Sequence, residues 1–227
     1  MSTALVVIAT GEVYRRHAKN LIASAKQFFV PHDVVLFTDA LHEFADVPIK
    51  FQREHLGYPR ATLTRYHAMC EAKEILAKYD HVFYSDADML FVSPVAESDI
   101  FSSGITATAH PGYHVRDQHG SPEKNPHSTA YLPVIRTYFC GGFNGGTSAA
   151  FLQMAETIKR NVDIDDANKI LAVWHDESHL NRYLYDNPPA RILTPAFCYP
   201  EGYGGGYGWA TYKYKPVLLA LEKRGRK

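Results

Sequence analysis

The sequence predicts an α/β domain built on a mostly parallel sheet flanked by helices. Three observations carry this expectation. Continuous apolar runs suit strands buried on both faces, apolar residues at helical spacing separate those runs, and one run ends in two aspartates, Asp86 and Asp88. Leu5-Val6-Val7-Ile8-Ala9 reads as the first buried strand, with Thr10-Gly11 as the turn after it. A helix is expected from about Tyr14 to Phe29, because Ala18, Leu21, Ile22, Ala25, Phe28 and Phe29 share one face; Pro31 stops it. Val34-Val35-Leu36-Phe37-Thr38 forms the second strand and closes on Asp39. After Pro59, the spacing of Leu63, Tyr66, Met69, Cys70 and Ile75 predicts one helix from Thr62 to about Tyr79. His81-Val82-Phe83-Tyr84-Ser85 then leads as a strand into Asp86. This order implies right-handed crossovers.

The second half has a different texture. Pro111 to Pro133 is rich in Pro, Gly, His, Ser and Asn without periodicity, and a loop this long inside a domain is usually functional or mobile. Thr147 to Asn161 reads as a helix capped by Thr147 or Ser148, with Phe151, Leu152, Ala155 and Ile158 on one face. Another helix is expected from near Glu177 to before Pro188, and Glu201 to Gly208 reads as irregular. With 227 residues and no internal repeat or linker, one domain is expected.

Composition narrows the function classes. Lys plus Arg and Asp plus Glu balance at 24 each, which argues against a general binder of nucleic acid or membrane surfaces. Cys70, Cys140 and Cys198 are odd in number, far apart and without a CxxC, so neither a disulfide scaffold nor a structural zinc site is expected. The amino terminus shows no charged leader and no apolar stretch is long enough for a membrane helix, so a soluble, cytoplasmic protein in a reducing compartment is expected.

Four stretches bear on chemistry. A strand that ends in Asp86-Ala87-Asp88 puts two carboxylates at the sheet edge where α/β folds bind ligands. Paired hard oxygens suit Mg²⁺ or Mn²⁺ that share their shell with phosphate; two solvated turn aspartates are the competing reading. Thr10-Gly11 opens a helix where a base or phosphate could sit, but it is no GxGxxG fingerprint. The four glycines of Cys140-Gly141-Gly142-Phe143-Asn144-Gly145-Gly146 either let backbone approach a ligand or make an irregular turn between a strand and a helix. In Trp174-His175-Asp176-Glu177-Ser178-His179, the histidines have zinc-protease spacing but Asp176 stands where that motif needs Glu. A polar wall facing a sugar, or a helix start that favours acids, are the other readings.

Taken in order, these stretches resemble glycosyltransferase family 6, the retaining enzymes that include the blood group A and B transferases and the α-1,3-galactosyltransferase. The matching residues are Phe37-Thr38-Asp39, Asp86-Ala87-Asp88-Met89, His110-Pro111-Gly112-Tyr113, Ala130-Tyr131-Leu132-Pro133, Gly141-Gly142-Phe143 with Gly145-Gly146, Asp166-Ala167-Asn168 and the run from Ala172 to Asn181. The resemblance spans nearly the whole chain. It implies a GT-A fold, a UDP-galactose or UDP-N-acetylgalactosamine donor, and a divalent ion, Mn²⁺ or Mg²⁺. It also implies α-1,3 transfer with retention to a galactose-containing glycan acceptor. The single catalytic domain, 1–227, would divide into a nucleotide-binding part (about 1–95), an acceptor-binding part (about 96–210) and a basic tail (about 211–227).

Residue by residue, the resemblance assigns Asp86 and Asp88 to the metal, and with Ala87 to the donor diphosphate. Arg65 would brace the donor, and Ile8, Ala9, Thr10 and Tyr14 would hold uridine. Cys140, Gly141, Gly142, His175 and Asp176 would face the donor sugar. His110, Trp174 and Glu201 fall in the acceptor region, and Glu177 matches the proposed nucleophile or electrostatic support. Lys223, Arg224, Arg226 and Lys227 could close over the diphosphate, or form a solvated end. The segment Phe197-Cys198-Tyr199-Pro200-Glu201 departs from the mammalian pattern, which leaves acceptor identity open. Two readings outside the family stay in view: a HAD-like phosphatase, which also uses Asp-x-Asp after a strand, and a non-catalytic UDP-sugar-binding module.

Overall fold

Strand β1 (Thr3–Ala9) is the axis of the fold in the computed structural model, which describes residues 1–114, 120–202 and 214–222. After it come α1 (Glu12–Phe28), β2 (Asp33–Thr38), a 3₁₀ turn (Leu41–Phe44), β3 (Ile49–Gln52), three short helices α2 (Arg60–Leu63), α3 (Arg65–Glu71) and α4 (Lys73–Leu76), and β4 (His81–Asp86). The chain continues through β5 (Met89–Phe91), α5 (Glu97–Ile100), β6 (Ile105–Ala109), β7 (Phe139–Thr147), α6 (Ser148–Ala167), α7 (His175–Asp186), β8 (Arg191–Leu193), a 3₁₀ turn (Pro195–Cys198), β9 (Tyr199–Pro200) and β10 (Leu218–Ala220). Seven strands form one sheet in the order β3-β2-β1-β4-β7-β6-β8. β3, β2, β1 and β4 run parallel, β7 runs antiparallel to both β4 and β6, and β8 pairs parallel with β6. β5, β10 and β9 make a small second sheet directly after the paired aspartates. The expected α/β architecture, a mostly parallel GT-A-like sheet flanked by helices, is what the chain adopts.

Side chains alternate between two covered faces, which is why β1 and the middle of β4, Val82 to Tyr84, are largely apolar. Ala4, Val6, Val82 and Tyr84 face a core completed by Tyr66, Met69, Phe151, Ile158 and Leu180 from α3, α6 and α7. Leu5, Val7, Ala9 and Phe83 face the opposite core, against Ala18, Leu21 and Ala25 of α1 and an aromatic group of Phe29, Phe91 and Phe143. Among the described residues, no helix is long and apolar enough to cross a membrane.

Several boundaries depart from expectation, each for a local reason. The single helix expected over 62–79 is three pieces that break at Thr64 and Ala72. At Thr64 the hydroxyl bonds back to the Arg60 carbonyl at 2.9 Å, and Arg53 Nη2 donates to the Thr64 carbonyl at 2.8 Å, sharing it with the Ala68 amide at 3.3 Å. The helix after Thr147 keeps its expected cap, since the Thr147 hydroxyl accepts from Ala150 N at 3.4 Å, but it runs on to Ala167. The next helix starts at His175, so Asp176 and Glu177 lie in its first turn. Of the irregular segment expected over 201–208, residues 203–208 lie outside the described residues, as do Lys223, Arg224, Arg226 and Lys227 of the expected basic tail.

The largest correction is the glycine cluster. It is a strand, β7, rather than an irregular turn. Its second half pairs regularly with β4, Gly145 opposite Phe83, while towards its start the register against β6 shifts between Ala107 and Ala109. A Cβ on Gly145 would stand 2.2 Å from the Phe83 ring and 2.6 Å from the Val82 carbonyl, so the central strand and its aromatic can lie this close only because position 145 lacks a side chain. A Cβ on Gly142 would meet nothing nearer than 3.5 Å, ordinary contact. Gly145→Ala should therefore lower the unfolding free energy by about 1–3 kcal/mol, while Gly142→Ala should stay within about 0.5 kcal/mol of wild type. Urea midpoints measure this, and equal midpoints for the two variants would contradict it.

Candidate active site

The carboxyl ends of β1 and β4 open onto a cleft of about 200 Å³. Ile8, Thr10, Tyr14, Arg65, Asp86, Ala87 and Asp88 line it, with Ile8 directly across the ladder from Asp86. Ala9 points away into the core beneath α1, as alternation requires of the residue after Ile8. The Gly11 amide donates to Asp39 Oδ2 at 3.0 Å, and Arg15 Nη1 pairs with Asp39 Oδ1 at 2.8 Å, which ties the turn after β1 to the end of β2. The cleft also contains residues that sequence reasoning missed: His55, Gly57, Tyr58 and Thr62, from the loop before α2 and its first turn. His55 Nδ1 lies 3.1 Å from the Thr10 hydroxyl. The Gly57-Tyr58-Pro59 turn signal just ahead of the Arg65 helix was the available clue.

Arg65 is the hub of the deeper end. It is buried and meets partners on three elements, although Nε and Asp176 Oδ2 approach as an ion pair without hydrogen-bond alignment. Nη2 pairs with Asp86 Oδ1 at 3.1 Å, Nε lies 3.0 Å from Asp176 Oδ2, and Nη1 donates to the Gly141 carbonyl at 3.0 Å. The guanidinium also lies over the Tyr84 ring, 4.8 Å from its centroid. The Tyr84 hydroxyl donates to the same Asp86 Oδ1 at 2.6 Å, which fixes that carboxylate's orientation. Burial works against the Arg65 charge, but Asp176 and Asp86 hold its pKa well above the ordinary value.

Glu177 stands on the other side of the Gly141 backbone. Its Oε2 accepts the Gly141 amide at 2.9 Å, so one residue gives its carbonyl to Arg65 and its amide to Glu177. Burial, with Asp176 adding repulsion, raises the Glu177 carboxyl to about 7, although the Gly141 amide pulls the other way. Burial likewise raises Asp176 to about 6, against the pull of Arg65. Of the expected sugar-facing residues, Gly141 faces Arg65, Asp176 and Glu177, while Gly142 faces Asp86. Cys140 is buried beside them.

The mouth is aromatic. His175 adopts a left-handed backbone, φ 51°, which costs a non-glycine residue about 1–2 kcal/mol, and its ring meets Tyr58 edge-on at 4.9 Å. His179 instead is buried with Nε2 3.8 Å from Asp165, so the two histidines of the expected i,i+4 pair serve different neighbourhoods. Trp174 is exposed at the rim. Its approach is held by Glu123, another residue that sequence reasoning missed, whose buried carboxylate accepts the Val173 amide at 2.6 Å and the Asn125 amide at 2.7 Å. His110 packs between Tyr113 and Tyr138, and burial lowers its pKa to about 4, so it is neutral near pH 7. The Glu201 carboxylate accepts the Glu222 amide at 2.8 Å in the second sheet.

Asp86 and Asp88 together offer hard oxygen donors at the cleft floor, and among the described residues no cluster of three or more His, Cys, Asp or Glu side chains could hold a metal ion alone. This donor set fits a divalent ion that completes its shell with phosphate oxygens rather than a closed protein cage.

A GT-A-like sheet with a carboxylate-lined cleft at its carboxyl edge defines the class. The chain belongs to glycosyltransferase family 6, whose sequence model matches residues 1–208. It is 29% identical over 221 residues to the histo-blood group ABO system transferase 1 of Rattus norvegicus, covering 90% of this chain and 62% of that protein. It is 28% identical over 207 residues to the O-antigen biosynthesis glycosyltransferase WbnI of Escherichia coli, covering 87% of each. It is 27% identical over 241 residues to the globoside alpha-1,3-N-acetylgalactosaminyltransferase 1 of Canis lupus familiaris, covering 97% of this chain and 65% of that protein. The chain thus spans under two thirds of the length of the mammalian relatives.

The raised Glu177 carboxyl makes a prediction about stability. Its ordinary value is 4.5 and its folded value about 7, so between these the folded chain holds more proton than the unfolded one, and stability falls as pH rises through this window. Glu177→Gln removes the penalty of a buried charge. The variant should be more stable than wild type at pH 8, by roughly 1–3 kcal/mol, with the gain vanishing towards pH 4.5. Urea unfolding at the two pH values measures it; a variant no more stable than wild type at pH 8 would contradict the assignment.

Proposed function

We propose that the chain is a retaining glycosyltransferase that moves N-acetylgalactosamine, or galactose, from a UDP-sugar to the 3-hydroxyl of a galactose-containing acceptor in α linkage. One observation carries the reading: Asp86 and Asp176 share the single buried guanidinium of Arg65, while Asp88 lines the same cleft and Glu177 stands beside Gly141. A site with that surplus of carboxylates repels a diphosphate unless a cation enters with it. Mn²⁺ or Mg²⁺ held by Asp86 and Asp88 would supply that charge and stabilise the UDP as it leaves. The family and its relatives' names support the α-1,3 and N-acetylgalactosaminyl parts of the proposal.

The chain's own residues then take these roles. Ile8, Thr10 and Tyr14, with His55 and Tyr58, receive the nucleoside end of the cleft. Arg65 and Tyr84 hold Asp86 in place. The sugar crosses the bare backbone of Gly141 and Gly142, which carry no side chains. Glu177, anchored by the Gly141 amide, is placed to stabilise positive charge at the anomeric carbon, as nucleophile or as fixed countercharge. Trp174 and neutral His110 border the acceptor side. Gly142 carries no side chain to crowd an acetamido group, which favours UDP-N-acetylgalactosamine.

UDP release, measured with both donors and galactose-terminated acceptors, tests the proposal. Transfer should vanish in EDTA and return with Mn²⁺. Glu177→Gln should lower kcat by roughly a hundredfold or more and leave calorimetric UDP affinity within about threefold, because the interaction acts in the transition state. Full transfer in EDTA contradicts the metal role, and phosphate release with no need for UDP favours a phosphatase instead.

A further inference from the structure

A buried carboxylate outside the cleft joins the two groups that border the acceptor side. Glu123 lies in the long connection between β6 and β7, yet it is only 6% exposed. Its two oxygens serve two backbone amides: Oε1 accepts from Asn125 N at 2.7 Å and Oε2 from Val173 N at 2.6 Å. Val173 leads directly into Trp174, whose own amide donates to Ser178 Oγ at 3.0 Å. The Glu123 carbonyl accepts from Leu132 N at 3.0 Å. Leu132 is buried with Ile135 and Tyr138, and Tyr113 packs against them; His110 rests on the rings of those two tyrosines. One residue therefore ties the backbone before Trp174 to the packing around His110.

The connection that carries Glu123 is itself anchored to two helices. Asp165 of α6, 2% exposed, accepts from Ser128 Oγ at 2.5 Å and from Thr129 N at 2.8 Å. Arg182 of α7 donates to the Tyr131 carbonyl at 3.1 Å. Asn125, Val173 and Leu132, the partners of Glu123, all lie outside the cleft that takes the donor.

We propose that Glu123 is a positioning residue for the acceptor, which acts by holding the Val173–Trp174 backbone against the His110 side of the site. The inference rests on the transferase reading and deepens it. A carboxylate accepts at both oxygens, and its bonds from backbone amides are short and charge-assisted. An exposed indole such as Trp174 keeps a productive position only when the chain behind it is locked. A misplacement of about 1 Å at such a group can cost roughly a hundredfold in rate.

The test uses wild type, Glu123→Gln and Glu123→Asp. Glutamine keeps the size but has one acceptor oxygen, so its NH₂ group meets a backbone N–H. Aspartate keeps both oxygens on a shorter stem. Initial rates are measured with the donor and a galactose-terminated acceptor varied in turn, alongside calorimetric UDP affinity. In Glu123→Gln the acceptor KM should rise, and kcat/KM for the acceptor should fall about tenfold or more. Donor KM and UDP affinity should stay within about threefold, and Glu123→Asp should fall between the other two. A merely structural role would lower the active fraction, and hence kcat, without moving the acceptor KM. Three results would overturn the inference: an acceptor KM within about twofold of wild type in every variant that still binds UDP, donor KM and UDP affinity that weaken in parallel with the acceptor, or loss of UDP binding in both variants. A wild type that transfers to no galactose-terminated acceptor would instead contradict the transferase reading, and the inference with it.

Discussion

A guanidinium removed from water must find its countercharges in the protein, and Arg65 finds them on three separate elements. Asp86 ends β4, Asp176 opens α7, and the Gly141 carbonyl belongs to β7. Removing any of these partners would leave a buried charge short of compensation, which costs several kcal/mol. The reverse also holds: without Arg65, Asp86 and Asp176 would face each other and Glu177 unbalanced. This one side chain therefore fixes the distance between the end of the sheet and the start of α7, which is the width of the site. Arg65 and Tyr84 both hold Oδ1 of Asp86, which sets that carboxylate's orientation.

β7 is the second constraint, and it divides its glycines between folding and function. Gly145 and Gly146 let the antiparallel strand press against Phe83 and the Gly104 carbonyl. Gly141 lies where the register shifts, so its carbonyl turns to Arg65 and its amide to Glu177. One short glycine-rich run thereby builds the centre of the sheet and clears the floor of the cleft. The left-handed backbone of His175 adds local strain at the same place, where α7 must turn its first carboxylates inward.

Three of the four parallel strands, β1, β2 and β4, were legible in the sequence because they are largely buried on both faces; β3, only half-buried, was not. Continuous runs such as Leu5–Ala9 and His81–Asp86 have no other simple reading. The paired aspartates announced themselves by ending one of those runs. β7 was not legible, since glycine has little strand preference and its place there comes from the Phe83 ring across the ladder, a long-range contact. The break at Thr64 likewise depends on Arg53, which sequence periodicity does not register. His55, Tyr58 and Glu123 escaped because loops and turns place them, and loop courses are not periodic. The placement of Arg65 against Asp176, over a hundred positions apart, required the fold itself.

The central claim is that Arg65 and Asp176 act as one buried unit that holds the site together. A double-mutant cycle of unfolding free energies with Arg65→Met, Asp176→Asn and the double variant tests it most directly. The account predicts a coupling of about 1–3 kcal/mol, with each single change costing more alone than in the presence of the other. Additivity within about 0.5 kcal/mol would mean that the two side chains do not depend on each other, and would contradict it.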